Sequence, residues 1–125
     1  MKNILFFGFF ISLISSSISA QDLPLPVIVA SFQDGDISKL SPQLDNKVTL
    51  LLLEDENKLS KEEFIEKVNS FLRTYPAQRM TLKHNGSSED GTRFVLGRFY
   101  AGQKSYRTWL VFKKNLITEV CIEEE

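Results

Sequence analysis

Few residues in this chain have types that could do chemistry. His84 is the only histidine and Cys121 the only cysteine among 125 residues. An imidazole titrates near neutrality and serves as a general base when a carboxylate or hydroxyl lies beside it. No carboxylate can be set beside His84 from its spacing, and His84-Asn85-Gly86 reads as a turn-stabilising side chain at a strand end. Ser87 and Ser88 follow closely, but a serine nucleophile needs a strained elbow and a third, orienting group, and no such pattern is found. One His and one Cys without ligand spacing do not make a zinc centre. Asp34-x-Asp36 opens like a calcium loop but lacks the distal glutamate, so helix capping explains it better. A glycine-rich phosphate loop and a dinucleotide fingerprint are both missing. No metal, no cofactor and no catalytic set are therefore expected.

The remaining signal is Arg93, Arg98, Lys104, Arg107, Lys113 and Lys114 interleaved with Phe94, Phe99, Tyr100, Tyr106, Trp109 and Phe112. On a basic protein this pattern would suggest stacking on single-stranded nucleic acid. The balance of charge speaks against it. Residues 1–20 have the three-part layout of a secretory leader: Lys2, an apolar run from Ile4 to Ile14, then serines and Ile18-Ser19-Ala20. The run is too short to span a bilayer, which takes roughly 20 apolar residues. Cleavage after Ala20 would leave 14 basic against 16 acidic residues, a net charge near −2. Nucleic acid and a stable membrane span are not expected, and the mature chain is placed in the periplasm or outside the cell. With a lone cysteine no intramolecular disulfide can form, so a single domain over residues 21–125 must be held by its core.

Alternation assigns the aromatic residues to faces. Over Lys104–Phe112 it sets Tyr106, Thr108, Leu110 and Phe112 against Ser105, Arg107, Trp109 and Val111. With the even set turned to a helix, Trp109 and Arg107 share the outer face, where an exposed indole is an anchor for a partner or a second copy. Cys121 alternates against Val120 and Ile122 and would share that face, in place for an intermolecular disulfide.

These faces require a helix, and the sequence marks one from Leu59 to Leu72. Ser60 and Glu63 form a capping box, with Leu59 and Phe64 as its hydrophobic staple. Phe64, Ile65, Val68, Phe71 and Leu72 fall on one face, and Tyr75-Pro76 stops the run. Before it, Pro24 or Pro26 starts a short helix over Val27–Gln33, Gly35 ends it and Asp36 caps the next helical segment. There Ile37, Leu40 and Leu44 predict a second helical turn broken at Pro42. Val48–Leu53 reads as a strand with two apolar faces, and Glu54-Asp55-Glu56-Asn57 as a solvated turn. Four strands come after the main helix: Gln78–His84, Thr92–Tyr100, Lys104–Phe112 and Leu116–Ile122. The dipeptides Asn85-Gly86 and Asp90-Gly91 mark the first turn between them, and short connections predict an antiparallel meander.

This order of elements resembles the nuclear transport factor 2-like (cystatin-like) superfamily, in which a curved sheet wraps a helix into a cone. Four local patterns are similar to a family of small exported bacterial proteins classed as a domain of unknown function. They are Phe32-x-x-Gly35-Asp36-x-x-x-Leu40, Leu59-Ser60-Lys61, His84-x-Gly86-Ser87-Ser88-x-Asp90-Gly91 and Ile117-x-Glu119-x-x-Ile122-Glu123. The resemblance implies an α+β cone with helices packed on a curved, mainly antiparallel sheet, and brings no assigned activity. Enzymes of the superfamily use acid–base groups inside the cone, which would give His84 or Tyr100 a role in a hydrolase or isomerase. Against that alternative stands an exported, non-enzymatic module for a small molecule or an envelope protein. A homodimer through the Trp109 face is the third reading.

Overall fold

The structure, a computed structural model, describes residues 23–125; the leader expected over residues 1–20 lies outside them. Helix α1 (Leu25–Gln33) carries Pro26 in its first turn, where a missing N–H costs nothing. Gly35 takes the left-handed conformation that ends it, φ +66°. Asp36 caps the following 3-10 helix (Ile37–Gln43) by accepting from the Ser38 N–H at 3.2 Å. Leu44, expected as the end of that helical turn, instead opens strand β1 (Leu44–Leu52). Its backbone is extended and its side chain is buried.

Nor is Glu54 to Asn57 the solvated turn that its charges predict. The reversal takes only Leu53 and Glu54, and strand β2 (Asp55–Ser60) pairs back along β1 from Leu52↔Asp55 to Lys47↔Ser60. Its Asp55–Lys58 half is exposed, so it lacks the apolar alternation by which strands are recognised. Charged edge strands of this kind also resist pairing with other chains.

Helix α2 (Lys61–Thr74) has both halves of the capping box. The Ser60 hydroxyl accepts from the Glu63 N–H at 3.2 Å and the Glu63 carboxylate accepts from the Ser60 N–H at 2.9 Å. Phe64, Val68, Phe71 and Leu72 are buried, and Ile65 packs half-buried at the edge of the same stripe. Each fully buried side chain of that size contributes about 1.5–3 kcal/mol before chain entropy is counted.

Strands β3 (Arg79–Ser87), β4 (Arg93–Ala101), β5 (Lys104–Lys113) and β6 (Leu116–Glu124) form the predicted antiparallel meander. Asn85-Gly86 is not its first turn. Both residues pair inside the β3–β4 ladder, opposite Val95 and Phe94, and the reversal lies at Ser88–Thr92. There Gly91 has φ +90°, and the Asp90 carboxylate accepts from the Thr92 N–H at 3.0 Å and from the Ser88 hydroxyl. The β5–β6 turn uses Lys114 and Asn115, both with positive φ, the geometry of a tight hairpin.

The sheet order is β2-β1-β6-β5-β4-β3, with β1 and β6 parallel and all other pairs antiparallel. Helices and sheet share one core. Phe32, Phe99, Tyr106 and Phe71 run through it in ring-to-ring contact at 5.8, 5.1 and 5.5 Å. Two side-chain amides fasten the helices: Asn69 of α2 accepts from the Ile37 N–H at 2.8 Å, and Gln33 of α1 accepts from the Met80 N–H at 2.9 Å. Among the described residues no helix is long and apolar enough to cross a membrane.

Candidate functional site on the outer sheet face

Strand β5 has the expected two faces. Tyr106, Thr108, Leu110 and Phe112 are buried against the helices, whereas Trp109 on the other face is 40 % exposed. The indole stacks on Phe94 of β4 at 5.9 Å and 23°. Register then draws a row across the sheet that no single strand reveals: Leu96, Trp109, Cys121, Leu51 and Glu56 are successive pairing partners on β4, β5, β6, β1 and β2. At about 4.8 Å per strand the row is about 19 Å long. Its apolar members floor a groove of about 410 Å³, walled by Thr49, Glu56, Arg107, Glu119 and Glu123.

Arg107 lies in the neighbouring row along the groove, paired with Glu123 at 2.8 Å. That contact holds the Glu123 carboxyl below its ordinary range and raises the guanidinium above its own. Arg98 makes a two-pronged bond to Glu125 at 2.6 and 3.0 Å, and Lys104 meets Glu124 at 3.3 Å. Three of the six interleaved basic residues, Arg107 of the expected partner face among them, are thus paired with Glu123, Glu124 and Glu125. The carboxylates of Glu56 and Glu119, in contrast, make no ion pair or hydrogen bond among the described residues. The Cys121 thiol is pushed up to about 11, first by burial and then by Glu123, and stays a neutral thiol at ordinary pH. A thiol so held is a poor nucleophile for disulfide formation.

The interior is differently equipped. Its buried polar residues among those described are Ser31, which donates to the Val27 carbonyl at 2.7 Å, and Thr108. Tyr106 is the phenol inside, raised in pKa by burial. Tyr100, the tyrosine suggested for a cone-interior reaction, pairs with Arg79, whose guanidinium lies 4.9 Å from the ring centre. It falls on the same strand face as Leu96 and Arg98, away from the core. The backbone of His84 lies within β3, opposite Leu96, rather than at a strand end. Ser88 is occupied by the turn: its hydroxyl bonds Asp90 and its N–H donates to the Thr92 carbonyl at 2.8 Å. Among the described residues no cluster of acidic, His or Cys side chains could hold a metal.

Besides a hollow of about 590 Å³ over Leu53, Glu54, Asp55, Glu123 and Glu124, which has no aromatic lining, two larger ones lie elsewhere. One of about 660 Å³ runs beside α2 over Leu52, Phe71 and Tyr75. Two of its carboxylates are committed, Glu63 to the helix cap and Glu66 to Arg73 at 3.6 Å, and Glu62 and Lys67 also line it. The other, about 640 Å³, is a polar hollow between the β3–β4 and β5–β6 turns. The hollow beside α2 also has aromatic walls in Phe71 and Tyr75, but the charges left unpaired there among the described residues, Glu62 and Lys67, are opposite in sign, whereas those of the Trp109 groove are both negative. Leu51, Glu56, Leu96 and Glu119 escape a reading of the sequence because they join the site only through strand register. Alternation around Trp109 and Cys121 is the one signal available.

The model of the family described as "Domain of unknown function (DUF4783)" matches residues 25–123. No curated protein matches the sequence. Among solved structures, a DUF4783 family protein from Bacteroides uniformis superposes with a TM-score of 0.74 at 18% identity, covering 83% of this chain and 98% of that one. One from Bacteroides fragilis gives 0.74 at 19% identity over 83% and 100%. An NTF2-like protein of unknown function from Cytophaga hutchinsonii gives 0.57 at 7% identity over 81% and 86%. At these identities the likeness concerns the fold, the α+β cone of the nuclear transport factor 2-like class.

Proposed function

The chain belongs to the DUF4783 family of domains of unknown function, and on that footing we propose that it is an exported, non-enzymatic module that binds a ligand on the outer face of its sheet. The half-exposed indole of Trp109 in a groove of about 410 Å³ carries this reading. That volume lies in the range of small-molecule sites, and an aromatic anchor with few polar groups is their usual lining. The core supports it from the other side. Acid–base catalysis needs a titratable group within hydrogen-bond reach of the substrate, and among the described residues the buried polar ones other than the Tyr106 phenol are a serine and a threonine. Export rests on the leader-like residues 2–20.

A fragment screen followed by amide chemical shifts tests the proposal. Perturbations should gather on Leu51, Leu96, Trp109, Glu119 and Cys121 and vanish in Trp109→Ala. Hits gathered instead around Tyr106 and Thr108 would replace this reading with a cone-interior one. Self-association is the second reading, favoured by the half-buried Phe94, Leu96 and Val111 around the indole. A dimer in sedimentation velocity that Trp109→Ala dissolves would put it first.

A further inference from the structure

The occupant of the Trp109 groove can be narrowed from the charges that wall it. Four ionisable walls carry charge at neutral pH: Glu56, Arg107, Glu119 and Glu123. Arg107 and Glu123 cancel at 2.8 Å, and Cys121 remains a neutral thiol. Glu56 and Glu119 are left, unpaired among the described residues, giving the groove two net negative charges over an apolar floor. Lys58 lies two residues from Glu56 along β2, but outside the groove walls. The floor offers Leu51, Leu96 and the indole, an aliphatic and aromatic bed for an apolar body.

We propose that the groove takes a small amphipathic organic cation, an ammonium or guanidinium carried on an aromatic or branched aliphatic body. The apolar body lies along Leu96, Trp109 and Leu51, and the charged head turns to Glu119 and Glu56. A neutral ligand of the same shape would leave both carboxylates without a counter-charge, and an anionic one would meet them unfavourably. This inference rests on the outer face being the binding surface.

Trp109 is the only tryptophan in the chain, so intrinsic fluorescence reads this groove alone. The purified protein is titrated with three probes of matched size: 2-phenylethylammonium, 2-phenylethanol and 3-phenylpropanoate. The ammonium should bind about tenfold tighter than the alcohol, an advantage that declines as salt is raised. The double variant Glu56→Gln/Glu119→Gln should bring ammonium and alcohol to equal affinity while leaving the alcohol and the unfolding midpoint unchanged. Equal binding of ammonium and alcohol by the parent protein would overturn the cation inference and leave the groove standing. Preference for the carboxylate would overturn it too. If none of the three alters Trp109 emission, the outer-face reading falls and takes the inference with it.

Discussion

Thr108 offers a test of how the core is built. It lies in β5 between Gly97 and Ile122 of the neighbouring strands, is fully buried, and its hydroxyl oxygen has no hydrogen-bond partner among the described residues. A buried hydroxyl without a partner costs about 1–3 kcal/mol relative to water. Thr108→Val keeps the branched shape and the strand preference while replacing that hydroxyl with a methyl. The variant should therefore gain about 1 kcal/mol or more, which for a domain of this size raises the melting temperature by about 4–8 °C. Urea unfolding followed by Trp109 emission measures the gain, and an unchanged m-value shows that the unfolded state has not shifted. Thr108→Ser, which keeps the hydroxyl and deletes the methyl, should instead lose about 1 kcal/mol. A loss of about 1 kcal/mol or more in Thr108→Val would refute the reasoning, because it would mean that the hydroxyl is satisfied in the folded protein.

Two further perturbations probe the sheet. At Gly97 an added Cβ would stand 2.8 Å from Leu82 Cδ2 and 2.9 Å from the Thr81 carbonyl oxygen. The side chain can rotate away but the ladder carbonyl cannot, so Gly97→Ala should lose about 1–3 kcal/mol in the same urea assay, and a neutral result would show that β3 yields at its bulge. The hydrogen bond from Ser88, helped by the Thr92 N–H, holds the Asp90 carboxyl down at about 2. Because this folded value is depressed, the turn is stabilised fully above the ordinary carboxyl range near 3.9 and loses that support as pH falls through about 2. Protection of the Thr92 amide, its exchange relative to the intrinsic rate at each pH, should fall over that window, and Asp90→Asn should remove this change in protection; an unchanged profile in the variant would assign the effect to another group.

The parts of the fold legible in sequence are those written in local chemistry. Ser60 and Glu63 announce α2, Gly35 and Asp36 punctuate the N-terminal helices, and the alternation of β5 sets Trp109 outside and Tyr106 inside. The illegible parts depend on partners distant in sequence. Asn85-Gly86 has the strongest local turn signal of its hairpin, yet pairing with Val95 and Phe94 keeps it in the strand. Leu53 adopts φ 60° without the glycine or asparagine that normally marks such a turn, so the β1–β2 reversal is invisible in the residues themselves. The candidate site is the extreme case. Its five-residue row draws one residue from each of five strands, and strand order is a property of the folded sheet.

The position of β6 governs when that site can exist. β6 comes after the other five strands in the chain, yet lies between β1 and β5. Without it the sheet is two separate pieces, the β1–β2 hairpin and the β3–β4–β5 meander, each with an open inner edge. Joining them requires contacts such as Leu51 with Cys121, 70 residues apart, and long-range closures of this kind slow folding and make it cooperative. A chain shortened before Leu116 would therefore not hold a smaller version of the domain. It would expose two unpaired strands, and the groove beside Trp109 would lose Glu119, Cys121 and Glu123, which arrive with β6 and join Leu51 to Trp109.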